Sequence, residues 1–377
     1  MATRDYGRRI PAASGAAIAI ALAIVATVPP LRAAQTTWAD GLGLCNGETP
    51  CFLTIGEALA NAGPGAATVF VFPGLYPESV DLATMGSAIG GGPAAIELIS
   101  VDASGVPAPG AMVNPAAPGG PGTGPAIGAV GYSSPVVVDG FDLFSPDADG
   151  LQLLFGTASV ALHRITADGS PQGNGISVAN ESGDVTITAS SARLNDGSGV
   201  LLYTYEGVAT AIALVVERNG GGLVAGGDQV EVGGVHAEAN GDVGVTVLAL
   251  EGGSEVSLQN VESVANGSGV LVATFLEATW ISSATLVDVR AEMNVENGIG
   301  VLANRITASG LEATGNGTSG VVLYSIGDPA GPFVVSIDDS ESTDNGEFGF
   351  VFSSAETEAR TLTTTGNGDY GVWFAPI

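Results

Sequence analysis

Lysine is missing from this chain, and several other residue types are scarce. All ten basic residues are arginines, against 39 acidic residues, and the formal net charge is −29. Such a surface repels nucleic acids and anionic lipids, so we expect no nucleic-acid partner. The chain has two histidines and two cysteines. Zinc-ligand spacings, a Cys–His pair, a nucleophile elbow and a phosphate-binding glycine loop are not found.

Long apolar runs are also missing, apart from one near the N-terminus. Three arginines within the first nine residues precede an apolar run over residues 16–28, and small residues follow it. This order is typical of a signal peptide. We predict a signal peptide over residues 1–34 and no membrane span after its cleavage; a retained membrane anchor is the alternative. Losing four arginines and one aspartate with it changes the net charge from −29 to −32.

The two cysteines, Cys45 and Cys51, lie close together after the predicted signal peptide. In an exported protein such a pair is typical of a disulfide, whereas a metal-binding or catalytic pair would need partners nearby. Residues 52–62 follow with apolar residues at helical spacing. We therefore predict an N-terminal cap over residues 35–67, with a disulfide and a short helix.

The rest of the chain is built on a repeat. Short apolar strands, each led by a glycine, recur about every 25 residues. The glycines are Gly150, Gly175, Gly199, Gly222, Gly244, Gly269, Gly300, Gly320, Gly349 and Gly371. Eight of these strands follow an asparagine turn, at Asn195, Asn219, Asn240, Asn266, Asn297, Asn316, Asn345 and Asn367. Weaker copies of the turn precede them at Asp149 and Asn174.

This repeat predicts an all-β solenoid over residues 68–377. No repeat has the 3.6-residue period of a helix, and the strands alternate apolar and polar residues. Each repeat therefore predicts strand, bend, strand, asparagine turn, strand and longer loop. Stacked coils give a parallel β-helix, about ten coils and on the order of 50 Å long from the repeats alone. The asparagines are expected to adopt positive φ at the bend and to hydrogen-bond along the axis.

One segment resembles a known family. Thr68-Val-Phe-Val-Phe-Pro-Gly-Leu-Tyr-Pro-Glu78, after a short amphipathic helix, resembles the opening cap and first coil of the right-handed parallel β-helix superfamily that includes the pectate lyases. The asparagine–glycine repeats resemble its generic repeats, so the likeness covers nearly all of residues 45–377. It implies right-handed winding but no single activity, since that superfamily includes lyases, hydrolases, epimerases, adhesins and proteins with no known reaction.

Four residues form the best candidate catalytic group. His163 and Arg164 are adjacent, and Asp184 and Arg193 follow about one coil later. In this superfamily a lyase often uses arginine or lysine as its base, and positive groups to neutralise a uronate. The structural alternative is two arginines paired with surface acids. The acid and lysine pattern of polygalacturonases is not found, since Asp338-Asp339 is the only Asp-Asp pair and lysine is missing.

Aromatic residues after the third strand of several repeats suggest carbohydrate contact, because sugar faces stack on exposed rings. In lyases of this fold that region flanks the substrate cleft; the alternative is that the rings cap the core. The candidates are Tyr203, Tyr205, Phe275, Trp280 and Tyr324, with Phe333 beside the last.

Acidic residues suggest two further features. Calcium is the one cofactor that the sequence suggests, at Asp147 with Asp149 and at Asp338 with Asp339, because turn carboxylates supply oxygen ligands. An ordinary solvated acidic surface is the alternative. Charged residues at equivalent repeat positions also predict a ladder across coils: His236, Glu262, Arg290, Glu312 and Glu341.

Two functional interpretations remain open. The favoured one is a non-catalytic scaffold, secreted to the extracellular space or periplasm or held at the cell surface, that contacts an extracellular polysaccharide or acts in adhesion. The alternative is a polysaccharide lyase or glycoside hydrolase. The last strand, near Trp373, is expected to leave a backbone edge uncovered, blunted by Pro376 or docked on a partner, unless the chain has been cut short.

Overall fold

The computed structural model describes residues 35–62, 66–82, 95–250, 254–274, 282–325 and 334–375. The predicted signal peptide, Phe275, Trp280 and Phe333 lie outside these ranges. The described chain is a parallel β-solenoid, as predicted: each strand of one coil pairs in parallel with the equivalent strand of the next. No helix in these ranges is long and apolar enough to cross a membrane.

Each coil has three sides, which we call faces 1, 2 and 3 in chain order. Face 1 is a sheet of twelve strands that stack in sequence order. Its strands are β5 (Val80–Asp81), β8 (Ile127–Val130), β11 (Leu151–Gly156), β14 (Ile176–Asn180), β17 (Ser198–Thr204), β20 (Gly221–Gly227), β22 (Val243–Ala249), β24 (Ser268–Thr274), β26 (Ile299–Ala303), β29 (Val321–Ser325), β32 (Phe348–Ser353) and β35 (Tyr370–Phe374).

Faces 2 and 3 belong to one sheet that bends between them. Face 2 contains β1 (Gln35–Ala39), β3 (Ala67–Val71), β6 (Ile96–Ser100), β9 (Val136–Asp139), β12 (Val160–His163), β15 (Val185–Thr188), β18 (Val208–Ile212), β27 (Arg305–Ser309), β30 (Val334–Asp338) and β33 (Glu356–Ala359), with β2 (Cys51–Phe52) paired to β1. Face 3 contains β4 (Gly74–Tyr76), β7 (Ala111–Val113), β10 (Phe141–Leu143), β13 (Thr166–Asp168), β16 (Ser191–Arg193), β19 (Val215–Glu217), β28 (Glu312–Thr314), β31 (Ser340–Thr343) and β34 (Leu362–Thr365). Three long strands run through both faces: β21 (Gln229–Glu238), β23 (Glu255–Val264) and β25 (Ser283–Glu292).

The core is a set of apolar columns inside the coils. Side chains alternate along each strand, so every second residue points inward and stacks on its equivalent one coil away. One column on face 1, at most 2% exposed throughout, contains Leu151, Ile176, Val200, Leu223, Val245, Val270, Ile299, Val321 and Phe350. Each fully buried side chain of this size stabilises the fold by about 1.5–3 kcal/mol relative to an exposed one.

The N-terminal cap has the predicted disulfide and helix. Cys45 and Cys51 are bonded, with 5.7 Å between their Cα atoms. Helix α1 (Ile55–Ala60) begins after Thr54, whose side chain accepts a hydrogen bond from the Glu57 amide. The Glu78 carboxylate accepts two more helix amides, from Ile55 at 2.8 Å and from Gly56 at 3.0 Å. The last acid of the family-like segment is therefore a helix cap, and burial raises its pKa.

A column of buried asparagines joins face 3 to face 1, as predicted. In each member before the last, the side-chain Nδ2 donates to the Oδ1 of the next member and to a backbone carbonyl of the preceding coil, as in Asn240 with Asn266 at 2.9 Å and with Val216 at 3.0 Å. The last member, Asn367, is half-buried and donates to the Ser342 carbonyl. The members are Asn195, Asn219, Asn240, Asn266, Asn294, Asn316, Asn345 and Asn367.

One predicted member of this column is wrong. Asn294 takes the place expected for Asn297, and Gly298 takes the place expected for Gly300, because Ile299 pairs with Val270. The two strand alignments, led by Gly298 or by Gly300, differ by two residues. A slip of two keeps the same side chains inward, so the apolar pattern could not separate them. Asn297 is exposed and accepts a hydrogen bond from Thr318 instead.

The two weaker copies of the turn, Asp149 and Asn174, also lie away from the corner position that the repeat predicts for them. Serines hold the corner in those coils. The Ser170 amide donates to Asn195 Oδ1, so Ser170 holds the corner position expected for Asn174. Asn174 lies nearer the strand and accepts from the Ser198 amide. Asp149 in turn accepts from the Asn174 amide. These two residues cap the turn from outside the buried column.

The predicted backbone role of the asparagines is also wrong. Positive φ occurs one residue earlier, as at Ala239 (+56°) and Met293 (+52°), and the asparagines of the column are not among the residues with positive φ. The left-handed residue points to solvent at each of these corners, so the fold accepts several side chains there. The asparagine is needed one position later, where its amide enters the buried column.

The predicted charge ladder lies on face 3 in the expected register. His236 pairs with Glu262, Glu262 with Arg290, and Arg290 with Glu312. His236 Nδ1 lies 2.8 Å from Glu262, whereas Arg290 bonds Glu292 on its own strand and lies 3.9 Å from Glu312. The ladder continues to Glu341.

Candidate functional site

A groove of about 470 Å³ lies on face 3, across three neighbouring coils. Its floor is formed by outward residues of β7, β10 and β13. The residues that follow β7 and β10 complete it. Met112, Asp142 and Thr166 are in register as one row. The groove is lined by Met112, Asn114, Asp142, Leu143, Phe144, Thr166 and Asp168.

Asp168 is the most unusual side chain in the groove. Its Oδ1 atom is buried and has no hydrogen-bond partner in the protein. Buried polar atoms are normally paired, and Asp168 lines the groove, so a rotation of its carboxylate would bring this unpaired oxygen to a donor in the groove. Burial raises the pKa of Asp168; nearby Arg193 lowers it, and Asp142 raises it further.

Asp142 supplies a second carboxylate. It is in register with Thr166, so Asp168 lies one coil away and two residues along the strand. With about 4.8 Å between strands and 3.3 Å per residue, their Cα atoms are about 8 Å apart. The groove therefore presents two acids, and burial raises the pKa of one of them, Asp168.

An apolar wall stands beside these acids. Phe144 is half-buried, Met112 is exposed, and Leu143 is buried below them. Gly169 adopts a φ of +77° next to the Phe144 ring, and a Cβ at that position would come within 3.1 Å of the ring. Glycine therefore lets the ring lie close to the backbone at the edge of the groove.

The structure does not bring the four candidate catalytic residues together. Arg164 makes a two-point ion pair with Asp139, at 2.7 and 2.8 Å, and His163 Nδ1 lies 2.7 Å from Thr188 Oγ1. Both are at the end of face 2, while Asp184 precedes the next strand there, roughly 13 Å along it from Thr188.

Asp184 and Arg193 also have other partners. Asp184 accepts a hydrogen bond from the Val208 amide at 3.0 Å. Arg193 lies on face 3, pairs in register with Asp168 and forms an ion pair with Glu217 at 3.2 Å. Arg193 is thus the one member of the predicted group that borders the groove.

The described aromatic candidates lie on or beside face 1. Tyr203 packs over Gly226, its register partner, and burial raises its pKa. Tyr205 is 58% exposed and Tyr324 is 39% exposed. Five coil steps separate Tyr203 from Tyr324, which is about 24 Å, so these rings do not form one cluster.

The calcium candidates occupy turns. Asp149 is buried and accepts hydrogen bonds from the Asn174 amide and from Gln152. Asp147, Asp338 and Asp339 are exposed, and Asp339 has a φ of +48° at the bend between faces 2 and 3. The Asp338 carboxylate accepts from the Asp339 amide. The hydrogen bonds of its turn account for the burial of Asp149.

Sequence reasoning missed the two acids of the groove. They lie in coils where the corner position is held by Ser145 and Ser170 instead of asparagine, so the repeat signal is weakest there. The spacing to the repeat glycines would have misaligned them, because Gly150 is 8 residues after Asp142 whereas Gly175 is 9 residues after Thr166, its register partner.

Comparisons with protein-family models, with curated proteins and with solved structures find no match to this chain. The chain is therefore characterised by its architecture, a parallel β-solenoid with an acidic groove on face 3.

Proposed function

We propose that this protein is a secreted solenoid scaffold that binds a neutral extracellular glycan in the groove on face 3. The observation that carries the proposal is the unpaired, buried Oδ1 of Asp168 in a groove whose apolar wall contains the Phe144 ring. Sugar hydroxyls are the donors that such an oxygen lacks, and the C–H face of a sugar ring packs on an aromatic side chain.

The size and charge of the groove support a neutral ligand. Its volume of about 470 Å³ is within the ~300–1,000 Å³ of small-ligand pockets. Two carboxylates line it, and the whole chain carries −29, so a uronate polymer would be repelled unless cations bridge it. The Cys45–Cys51 disulfide is typical of proteins in oxidising compartments, which supports secretion.

Binding is tested by calorimetry with neutral oligosaccharides, amino-sugar oligomers and uronate oligomers, each with and without Ca²⁺. We expect a neutral oligosaccharide to bind, and Asp168→Asn and Phe144→Ala each to weaken it at least tenfold. Glu341→Gln removes an acid of the same face outside the groove and should bind like the wild type. Failure of every neutral oligomer to bind, or equal binding by all variants, would reject the proposal.

The groove also supports a second candidate function, hydrolysis of the glycan. Inverting glycosidases hold their two carboxyl groups ~6.5–9.5 Å apart, one with a raised pKa as the acid and one ionised as the base. The Cα atoms of Asp142 and Asp168, about 8 Å apart, allow their carboxyl groups to reach that separation, and the pKa of Asp168 is raised. New reducing ends that disappear in both Asp142→Asn and Asp168→Asn would show hydrolysis; binding without product would leave the scaffold function.

A further inference from the structure

A histidine lies among three glutamates on face 3, three coils beyond the last coil of the groove. His236 and Glu238 lie on β21, with Glu217 on one neighbouring strand and Glu262 on the other. Across the described ranges, one group of three metal-ligating side chains has its ligand atoms within 4.8 Å of one another: Glu217, His236 and Glu238.

The distances within this group suit one small ion. His236 Nε2 and Glu238 Oε2 are 3.3 Å apart. Two ligand atoms bonded to a tetrahedral zinc ion at about 2.1 Å are about 3.4 Å from each other. The histidine and Glu238 could therefore share an ion almost without moving. The Glu217 ligand atom lies within 4.8 Å of the other two, so it needs to move by at most about 1.4 Å to complete three ligands.

The fourth residue orients the histidine. His236 Nδ1 lies 2.8 Å from Glu262 Oε2. When Nδ1 carries the proton and donates it to Glu262, Nε2 has the free lone pair and faces Glu238. A carboxylate on the far nitrogen is the usual support for a metal-binding histidine, since it fixes the ring and increases its basicity.

The charge balance also favours a cation. Three carboxylates surround one imidazole. Arg193 lies 3.2 Å from Glu217, and Arg290 is in register with Glu262, so two arginines stand against the three acids. The Arg193 side chain is 46% exposed, so it can leave Glu217 towards solvent.

We propose that Glu217, His236 and Glu238 bind one divalent transition-metal ion of the zinc class, with Glu262 as the positioning residue. A nitrogen ligand beside carboxylates favours Zn²⁺ and similar ions over Ca²⁺, which takes oxygen ligands. The ion would join two coils directly and a third through Glu262. This site does not depend on glycan binding.

The test uses tag-free protein without the signal segment. Calorimetry with Zn²⁺ should give one ion per chain, and Co²⁺ should give the d–d absorption bands of a site with few ligands. His236→Ala should weaken Zn²⁺ binding at least 100-fold. Glu262→Gln should weaken it about 10- to 100-fold, as expected for an outer ligand. Arg193→Gln should strengthen it by removing the competing cation.

The matched control is His163→Ala, the only other histidine of the chain, which bonds Thr188 and lies outside the one metal-ligand group of the described ranges. It should bind Zn²⁺ like the wild type. Circular dichroism of each variant checks that the solenoid is folded. Binding that His236→Ala leaves intact, that His163→Ala weakens equally, or that Ca²⁺ displaces at equal concentration would overturn the proposal.

Discussion

At the scale of single residues, the asparagine column shows how a polar group can lie inside a tightly packed coil. In Asn240 the amide donates both Nδ2 hydrogens, and its oxygen accepts the backbone and side-chain amides of Asn219. All hydrogen-bonding positions of the side chain are used, so its burial costs little. Aspartate, which is about as large, lacks the two donors.

The register of the column predicts different stability costs for alanine substitutions at two nearby asparagines. Asn294→Ala should lower the free energy of unfolding by about 2–4 kcal/mol, because it leaves the buried amide of Asn266 and the carbonyl of Ser263 unpaired. Asn297→Ala, three residues later and exposed, should cost less than about 1 kcal/mol. Urea unfolding measures both. Equal costs, or a larger one at Asn297, would contradict the register.

Asp168 in the groove should make the stability of the protein depend on pH. Since the folded-state pKa of Asp168 is raised, its contribution to stability is full at low pH and is lost as pH rises through that pKa. Asparagine does not ionise, so Asp168→Asn does not lose this stability as pH rises. The melting temperature of the variant should therefore exceed that of the wild type at pH 7. Near about pH 3, where aspartate is protonated in both states, the two should converge. A variant that melts lower at pH 7 would contradict the shift.

At the scale of elements, two neighbouring residues form the corner before face 1, whereas the sequence predicts that the asparagine alone does so. The exposed residue before the asparagine turns the backbone through positive φ, and the asparagine itself supplies the amide. Non-glycine residues pay about 1–2 kcal/mol for this conformation. The column and the tight packing below it hold them there.

Substitutions at two equivalent corners test this separation. Ala239→Gly, at a φ of +56°, should stabilise the protein by up to about 1 kcal/mol, because glycine adopts this conformation without strain. Gly315→Ala, at +66°, should destabilise it by about 1 kcal/mol; a Cβ there meets no atom closer than 3.8 Å, so backbone strain alone is measured. Thermal unfolding of both variants is the measurement, and changes of the same sign would refute the argument.

The elements also show what the sequence could and could not reveal. The repeat, the disulfide, α1 and the cross-coil register of His236 with Glu262 were predictable, because each depends on a local pattern or a fixed period. The two-residue ambiguity at Asn294 was not, because both alignments bury the same side chains. The groove was missed because its acids are 26 residues apart in coils without the asparagine signal.

At the scale of the whole molecule, the coils contact their neighbours and the surface carries one dominant charge. Acidic residues outnumber basic ones 39 to 10. Repulsion among exposed carboxylates opposes the folded state at low ionic strength, and salt screens it beyond about 10 Å at 0.1 M.

We therefore expect the melting temperature to rise by several degrees between about 0.02 and 0.5 M NaCl at pH 7. Because screening depends on ionic strength, KCl should act like NaCl, and an uncharged solute of equal osmolality should act less. A melting temperature that falls with NaCl would show that ion pairs such as Arg164 with Asp139 outweigh the repulsion.

The spacing of the asparagine column has a final consequence. Successive members are 21 to 29 residues apart, yet each keeps the same bonds to its neighbours. The coils therefore differ in length at positions away from the corner, and the corner itself has the same geometry in each of these coils. We call this corner the joint. Excising residues 240–265, from one joint to the next, would bring Asn219 onto Asn266 and shorten the rod by one strand spacing, about 4.8 Å. It would take His236's partner Glu262 away while leaving the groove whole, so rod length and groove chemistry can vary separately.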